Sequence, residues 1–188
     1  VEKILNENEE SKILAGGQTL IPTMKQRLAS PSTLIDISDI NELNFINDNG
    51  DTITIGATTT HNEVLSSDII QSKIPSLAAL AEGIGDPHVR NMGTIGGSIS
   101  NNDPTADYPC ACLSLKAKIK TNKKEISAED FFVGLFETAL EENEIVISIE
   151  FCIPQKASYM KFPNPASRYA TAGVYVAVFD DGINVSVT

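Results

Sequence analysis

The sequence predicts an α+β fold with two lobes, and three observations support this prediction. In roughly the first hundred residues, short apolar strands alternate with segments that have helical spacing. After that point most segments alternate apolar and polar residues, as the strands of an antiparallel sheet do. Two glycine-rich motifs, at residues 15–20 and 93–97, follow predicted elements of the first part. Ligand sites favour junctions between lobes, so a site is expected near the second motif.

The elements of the first part follow from local signals. Pro22 is tolerated in the first turn of a helix, and the run NDNGD at 47–51 is a strong turn signal between two strands. Thr60 and Glu63 have the spacing of a reciprocal capping box at a helix N-terminus. The predicted elements are the last turn of a helix at 1–5, a strand at 12–15, a helix at 20–28, strands at 33–37 and 52–56, and helices at 60–65 and 76–84.

The second part is predicted to consist mainly of strands. Asp107 is placed to cap a short helix that runs through residue 113. The other predicted elements are strands at 116–121, 144–153, 158–162, 173–179 and 183–187, with a helix at 128–140 among them. The sequence ends inside the last of these strands, so we expect the parent protein to continue beyond residue 188.

The composition excludes several classes of protein. The 188 residues carry a net charge of −11, whereas binding to a nucleic-acid backbone needs clustered Lys and Arg. The basic cluster at 116–124 is expected to form a solvated strand edge, with docking to an acidic partner as the alternative. No apolar run approaches the roughly 20 residues that span a bilayer, and the N-terminus lacks the apolar region of a signal peptide. We therefore expect a cytoplasmic protein without a membrane span.

Cysteines and histidines provide no clear metal or catalytic site. The sequence contains three cysteines, Cys110, Cys112 and Cys152, and this odd number favours reduced thiols. Cys110 and Cys112 lie close together, but no further Cys or His is near enough in sequence to complete a tetrahedral site. His61 and His88 are the two histidines, and no Ser-His-acid series can be argued from them. The sequence predicts no metal ligand and no catalytic residue; a metal or redox pair at Cys110 and Cys112 is the alternative.

Several residues fit a bound flavin nucleotide. Consecutive backbone N–H groups in a glycine-rich turn form an anion-binding concavity, so the two motifs are predicted to hold a diphosphate from both sides. Neither the dinucleotide fingerprint nor a P-loop is present. Asp107 is suited to accept hydrogen bonds from ribityl hydroxyls, Lys161 to stabilise negative charge on a reduced flavin, and Tyr169 to stack near the ring. For Asp107 the alternative is a helix cap, for Lys161 a snorkelling lysine, and for Tyr169 core packing.

Three longer motifs, which contain several of these residues, occur along the sequence in an order that is typical of a known family. The runs AGGQTLIP at 15–22, RNMGTIGG at 90–97 and DPTAD at 103–107 resemble the FAD-binding subunit of molybdenum hydroxylases, the group of xanthine dehydrogenase and aerobic carbon monoxide dehydrogenase. The likeness extends to segments 129–132, 144–146 and 159–161. The run DPTADYP looks most like the medium subunit of carbon monoxide dehydrogenase.

The resemblance implies a two-lobed FAD-binding domain of the vanillyl-alcohol-oxidase (PCMH) type. A small α/β lobe is expected at 1–57 and a larger α+β lobe, with an antiparallel sheet and helices, at 58–188. The family's first strand and its C-terminal domain are expected to be absent from this sequence. One FAD is expected per chain, held non-covalently. The implied cofactor-binding residues are Ile13, Leu14, Ala15, Gly16, Gly17, Gln18, Thr19, Leu20, Gly93, Thr94, Ile95, Gly96, Gly97, Ser98, Asn101, Asp107, Ile145, Val146, Lys161 and Tyr169.

The resemblance also implies partners. In this family a substrate is oxidised at a molybdopterin cofactor in a large subunit, and [2Fe–2S] clusters in a small subunit pass the electrons to FAD. The flavin then delivers them to an external acceptor such as NAD or a quinone. The substrate stays open among carbon monoxide, an aldehyde and an N-heterocycle. A stand-alone flavin oxidoreductase of the same fold and a non-catalytic nucleotide-binding module, including one for FMN or NAD, are the alternative functions.

The chain departs from the family pattern at two positions. Gln18 stands where His is common, and Ser98 stands where Asn is common. Neither change removes a backbone N–H group, so FAD binding is expected to survive. Gly96→Val is expected to block the approach of the diphosphate, and Lys161→Met to shift the flavin potential without unfolding the protein.

Overall fold

The structure is a computed structural model that describes residues 1–8 and 10–188. The helices are α1 (Glu2–Glu7), α2 (Leu20–Lys25), α3 (His61–Ser66), α4 (Asp68–Lys73), α5 (Pro75–Glu82), α6 (Pro87–Met92), α7 (Ile95–Asn101), α8 (Tyr108–Ser114) and α9 (Ala128–Phe131), with a 3₁₀ turn at Asn41–Leu43. The strands are β1 (Ser11–Leu14), β2 (Thr33–Asp36), β3 (Ile46–Asp48), β4 (Thr52–Gly56), β5 (Lys118–Thr121), β6 (Glu125–Ser127), β7 (Phe132–Gly134), β8 (Glu137–Thr138), β9 (Val146–Cys152), β10 (Lys156–Pro163), β11 (Ala170–Phe179) and β12 (Gly182–Val187).

The N-terminal part forms a small unit around a parallel strand pair. Strand β1 pairs with β2 in register Ser11↔Thr33, and the connection between them contains α2, because parallel strands need a crossover. A small apolar core lies beneath the pair and consists of Leu5, Ile35, Ile37 and Leu43. This unit carries the first glycine motif at the C-terminal end of β1.

A five-stranded antiparallel sheet forms the centre of the molecule, in the order β3-β4-β9-β5-β6. Strand β9 lies in its middle, where Ile149 and Phe151 are completely buried. Helices α3, α5, α7 and α8 contribute apolar side chains to the same core, including Leu77 and Ile99. Because β9 pairs with β4, it brings residues 145 and 146 close to a segment that precedes them by about ninety positions.

A second antiparallel sheet follows in the order β10-β11-β12. Side chains alternate across its faces, and Tyr159, Tyr175 and Ala177 point toward the main core. Lys161 of β10 lies opposite Gly173 of β11. Tyr159 and Lys161 therefore lie on the same, inward face of β10.

The predicted helix at 128–140 is wrong beyond its first turn. Helix α9 ends at Phe131, and the antiparallel strands β7 and β8 follow. The buried side chain of Asn102 donates hydrogen bonds to the carbonyls of Gly134 and Glu137, both at 2.8 Å. These bonds hold the segment as a hairpin, which the local apolar spacing did not indicate.

Three further helices were not predicted: α4, α6 and α7. Ser67 accepts a hydrogen bond from the Ile70 N–H group at the start of α4. In α6, Pro87 occupies the first turn, and the Asp86 side chain caps the helix. None of the helices in the described residues is long and apolar enough to cross a membrane.

Candidate functional site

A cavity of about 780 Å³ lies between the N-terminal unit and the two antiparallel sheets. This volume is within the range of about 300–1,000 Å³ that is typical of ligand sites. Every predicted cofactor-binding residue except Ile95 lines the cavity. Ile95 is completely buried in the main core instead. Residues from both motifs and from the strands that follow residue 145 therefore meet around one space.

The first glycine motif forms a loop between β1 and α2. Gly17 has a φ of 68°, in the left-handed region that favours glycine. A Cβ atom on Gly16 would overlap the carbonyl group of Met92, so this position needs glycine for close packing against the end of α6. The Gln18 side chain donates a hydrogen bond to the Gly16 carbonyl at 3.2 Å.

The backbone of this loop is suited to an anion. The N–H groups of Gly16, Gly17, Gln18 and Thr19 have no hydrogen-bond partner among residues 1–8 and 10–188. Consecutive free N–H groups in a turn attract phosphate oxygens. A diphosphate therefore fits this loop.

The second glycine motif is not a loop, which corrects the expectation from sequence. Thr94 caps α7, and its side chain accepts a hydrogen bond from the Gly97 N–H group at 3.1 Å. The N–H groups of Ile95 and Gly96 donate to the carbonyls of Thr59 and Ala57. The motif thus forms the first turn of a helix, and these N–H groups are already used within the chain. It contributes part of the cavity wall, where the side chains of Ser98 and Asn101 also lie.

Gly96 has a packing role in this arrangement. A Cβ atom on Gly96 would lie 2.6 Å from the Cβ atom of Ala57, closer than two carbon atoms pack. Glycine at this position allows α7 to approach the end of β4. The conformational freedom of glycine is not needed here, because α7 has ordinary helical geometry.

Asp107 and Lys161 form a buried ion pair at the cavity. Their Oδ2 and Nζ atoms lie 2.9 Å apart, and the side chains are 5% and 8% exposed, respectively. Lys161 also donates to the Gly83 carbonyl at 3.0 Å. Burial raises the pKa of the Asp107 carboxyl, and the hydrogen bonds from Tyr159 and Lys161 oppose this effect. Asp107 is the N-cap residue of α8, as predicted, but its side chain makes no capping hydrogen bond. The alternative of a snorkelling lysine is wrong, because the Lys161 side chain is buried.

Tyr159 also belongs to the hydrogen-bond network of Asp107, and it was not predicted from the sequence. Its hydroxyl donates a hydrogen bond to Oδ1 of Asp107. The signal that could have identified it is the spacing of Tyr159 and Lys161, which places both side chains on one face of a strand.

The other end of the cavity is formed by the turn between β10 and β11 and by the start of β9. Tyr169 is 46% exposed and lines the cavity, so it is not a core residue. Arg168 also lines it and donates a hydrogen bond to the Gly85 carbonyl at 3.2 Å. Val146 and Ile145 add apolar surface. Arg168 was not predicted, because no local pattern distinguishes it from a surface arginine.

His61 is a second cavity residue without a recognisable sequence signal. It is buried at the start of α3, and its ring lies 5.4 Å from that of Tyr108. Burial, together with the nearby positive charge of Arg90, lowers the pKa of His61 from 6.5 to about 4. The imidazole is therefore neutral near pH 7.

The thiols give no indication of metal chemistry. Cys110 and Cys112 are buried, and burial raises the pKa of the Cys110 thiol to about 12. Within the described part of the chain, no group of three or more His, Cys, Asp or Glu side chains is arranged to hold a metal ion.

The family model described as "FAD binding domain in molybdopterin dehydrogenase" matches residues 1–155. The chain belongs to this family. It is 41% identical over 182 residues to the glyceraldehyde dehydrogenase medium chain of Sulfolobus acidocaldarius, covering 94% of this chain and 65% of the relative. It is 40% identical over 186 residues to the carbon monoxide dehydrogenase medium chain of Hydrogenophaga pseudoflava, covering 94% and 64%. The chain spans a little under two thirds of the length of these curated relatives.

Solved structures agree with this assignment. A carbon monoxide dehydrogenase from Hydrogenophaga pseudoflava that lacks the Mo-pyranopterin moiety superposes with a TM-score of 0.93 at 37% identity, covering all of this chain and 70% of that one. Quinoline 2-oxidoreductase from Pseudomonas putida gives a TM-score of 0.92 at 26% identity, covering 99% and 69%. The predicted resemblance, the PCMH-type fold and FAD as the cofactor are confirmed. The family is one of oxidoreductases, and the contacts of individual residues with FAD stay predictions.

Proposed function

We propose that this chain holds one FAD non-covalently in the 780 Å³ cavity and serves as the electron-transfer module of a molybdenum hydroxylase complex. The observation that carries the proposal is the loop at Gly16–Thr19, which lines this cavity and whose four N–H groups have no hydrogen-bond partner among the described residues. The same proposal divides the chain into lobes at 1–57 and 58–188. By sequence, β3 and β4 belong to the first of these lobes, although they pair into the central sheet with strands of the second.

The residues around the cavity have distinct proposed roles. Bound FAD supplies the redox chemistry, since hydride and electron transfer belong to the flavin. The N–H groups of Gly16 and Gly17 bind the diphosphate, and the Asp107 carboxylate accepts hydrogen bonds from ribityl or ribose hydroxyls. Val146 and Tyr169 cover the ring and exclude water. The ion pair with Asp107 neutralises the charge of Lys161, so Lys161 acts on the flavin mainly as an oriented donor.

The proposed partners are a large molybdopterin subunit and a small iron–sulfur subunit. Relatives carry names such as "medium chain" and "medium subunit", which supports a place in a complex of several chains. Their names refer to glyceraldehyde, carbon monoxide, nicotine and caffeine. This variety supports the view that another chain selects the substrate. The third proposed partner is an external acceptor, which would receive the electrons.

The visible absorption spectrum of the purified protein tests the proposal, followed by identification of the cofactor released by heat. A flavin spectrum with released FAD is expected. A folded protein that stays colourless after incubation with excess FAD would contradict it, and released FMN would contradict the role of the diphosphate loop. Reduction of the bound flavin by a small substrate without partner subunits would favour a stand-alone oxidoreductase instead.

A further inference from the structure

Two residues of β10 hold the two oxygens of one carboxylate. Tyr159 and Lys161 are two positions apart and face inward together. The Tyr159 hydroxyl donates to Oδ1 of Asp107, and Lys161 Nζ donates to Oδ2 at 2.9 Å. Each carboxylate oxygen has two acceptor positions. One position on each oxygen therefore stays available to a ligand in the cavity that Asp107 lines.

The neighbouring strand leaves room for the tyrosine hydroxyl. Gly173 of β11 is buried, and a Cβ atom there would lie 2.6 Å from the Tyr159 hydroxyl oxygen and 3.2 Å from its Cε2 atom. Gly173 is not among the glycines with positive φ. A side chain at this position would meet the Tyr159 hydroxyl on its way to Asp107, and also Thr188 Cγ2, at 2.9 Å.

The Tyr159 ring is held from the core side as well. Its centroid lies 5.9 Å from that of Tyr175, a fully buried residue. This contact is between the two rings, and the Tyr175 hydroxyl instead forms a hydrogen bond with Ser76 Oγ, at 2.6 Å. The position of the Tyr159 hydroxyl is therefore set by packing before any ligand binds.

We propose that Tyr159 is a positioning residue for Asp107, and this proposal rests on the proposed function of the cavity as the FAD site. A donor on a single oxygen leaves a carboxylate free to turn about its last side-chain bond, which has a broad energy minimum. Donors on both oxygens fix the carboxylate plane and direct the remaining acceptor positions into the cavity. Preorganisation of this kind increases affinity by lowering the entropy lost on binding.

The same hydroxyl favours the ionised form of the carboxylate. Burial raises the pKa of Asp107, whereas the bond from Tyr159 lowers it. Other titratable groups face Asp107 from neighbouring elements: Lys161 from β10, Tyr108 and Cys110 from α8, and Tyr169 beside the cavity. None of them contacts Oδ1, so loss of the Tyr159 hydroxyl is not compensated among these residues.

Tyr159→Phe tests the proposal, with Tyr175→Phe as the matched control. Both variants remove one hydrogen-bonded tyrosine hydroxyl, but only that of Tyr159 contacts Asp107. In Tyr159→Phe the dissociation constant for FAD is expected to rise by about tenfold to a hundredfold, since hydrogen bonds to charged groups contribute roughly 1.5–3 kcal/mol. Loss of FAD binding on acidification is expected to begin at higher pH than in the wild type. In Tyr175→Phe the dissociation constant and the pH profile should match the wild type.

Thermal unfolding and circular dichroism of each variant establish that it is folded. If Tyr159→Phe does not fold, Gly173→Ala takes its place, because the added Cβ displaces the hydroxyl while the tyrosine stays. It is made together with Thr188→Ser, which removes the Cγ2 atom that the Cβ would also meet, at 2.9 Å, and keeps the hydroxyl that bonds Ala106; the same loss of affinity relative to Thr188→Ser is expected. Equal weakening of FAD binding by both tyrosine variants, or an unchanged pH profile in Tyr159→Phe, would overturn the positioning role alone. A wild-type protein that takes up no FAD would overturn the proposed function, and this proposal with it.

Discussion

Lys161 Nζ lies 2.9 Å from Asp107 Oδ2, and both side chains are more than nine-tenths buried. This ion pair changes the interpretation of both residues. From sequence, Lys161 was a free positive charge beside the flavin and Asp107 a free acceptor. In the structure each neutralises the other, and together with Tyr159 they form a single hydrogen-bonded network.

Lys161→Met is therefore expected to destabilise the protein, contrary to the expectation from sequence. Removing one partner of a buried pair leaves an uncompensated charge, which costs about 3–5 kcal/mol. The free energy of unfolding, measured by urea denaturation without FAD, should fall by an amount of this order. The double variant Lys161→Met/Asp107→Asn should recover part of the loss, since no buried charge remains. A single variant as stable as the wild type would show that Asp107 is neutral in the native protein.

Gly96→Ala is expected to affect folding rather than the cofactor directly. Its Cβ atom would lie 2.6 Å from both the Cβ atom and the carbonyl oxygen of Ala57, and overpacking of this kind costs about 1–3 kcal/mol. The urea midpoint measured without FAD should fall clearly. Gly97→Ala is the comparison, because the added Cβ there meets only the Thr94 hydroxyl, at 2.9 Å. A Gly96→Ala protein of normal stability that binds no FAD would restore the original view that Gly96 faces the diphosphate.

Local signals predicted some features correctly because the interacting atoms are close in sequence. The Thr60–Glu63 capping box is present, with the Glu63 N–H group donating to Thr60 Oγ1 at 3.2 Å. The prediction of a helix at 128–140 was wrong because the observed hairpin depends on Asn102, a residue about thirty positions away. Apolar spacing alone did not distinguish a hairpin held by a distant side chain from a helix.

In the candidate site, too, local motifs predicted some features and missed those that depend on residues distant in sequence. The motifs identified the members of the cavity wall, and Ile95 is the one predicted member that lies elsewhere. The pairings between members were not predictable, because they depend on sheet register. Lys161 lies opposite Gly173, and this register explains why the Tyr159 hydroxyl can reach Asp107.

Gly17→Ala tests the diphosphate loop. The φ of 68° at Gly17 disfavours any residue with a Cβ atom, by about 1–2 kcal/mol, and the new Cβ would lie 2.6 Å from Ile21 Cδ1. The loop should change shape, and the dissociation constant for FAD, measured by titration of the apoprotein, should rise. Gly50→Ala is the matched control, since Gly50 has a φ of 93° with open space around it and lies outside the cavity lining. Equal FAD affinity in the two variants would count against the loop as the diphosphate site.

His61 gives the protein an expected sensitivity to acid. Its folded-state pKa of about 4 lies below the ordinary value of 6.5. Between these two pH values the unfolded chain binds a proton at His61 and the folded chain does not, so this residue lowers stability as the pH falls through that window. The shift corresponds to roughly 3 kcal/mol, at about 1.4 kcal/mol per pKa unit.

His61→Gln removes the titrating group and should therefore lose less stability than the wild type between about pH 7 and pH 4.5, when urea midpoints are compared without FAD. Asp107 acts in the opposite direction, because its raised pKa favours the folded state at low pH, and it is common to all the proteins compared. His88→Gln is the control at an exposed histidine and should follow the wild type. If His61→Gln and the wild type lose equal stability, the His61 imidazole is protonated in the folded chain, and its burial beside Arg90 must be relieved by a rearrangement around the start of α3.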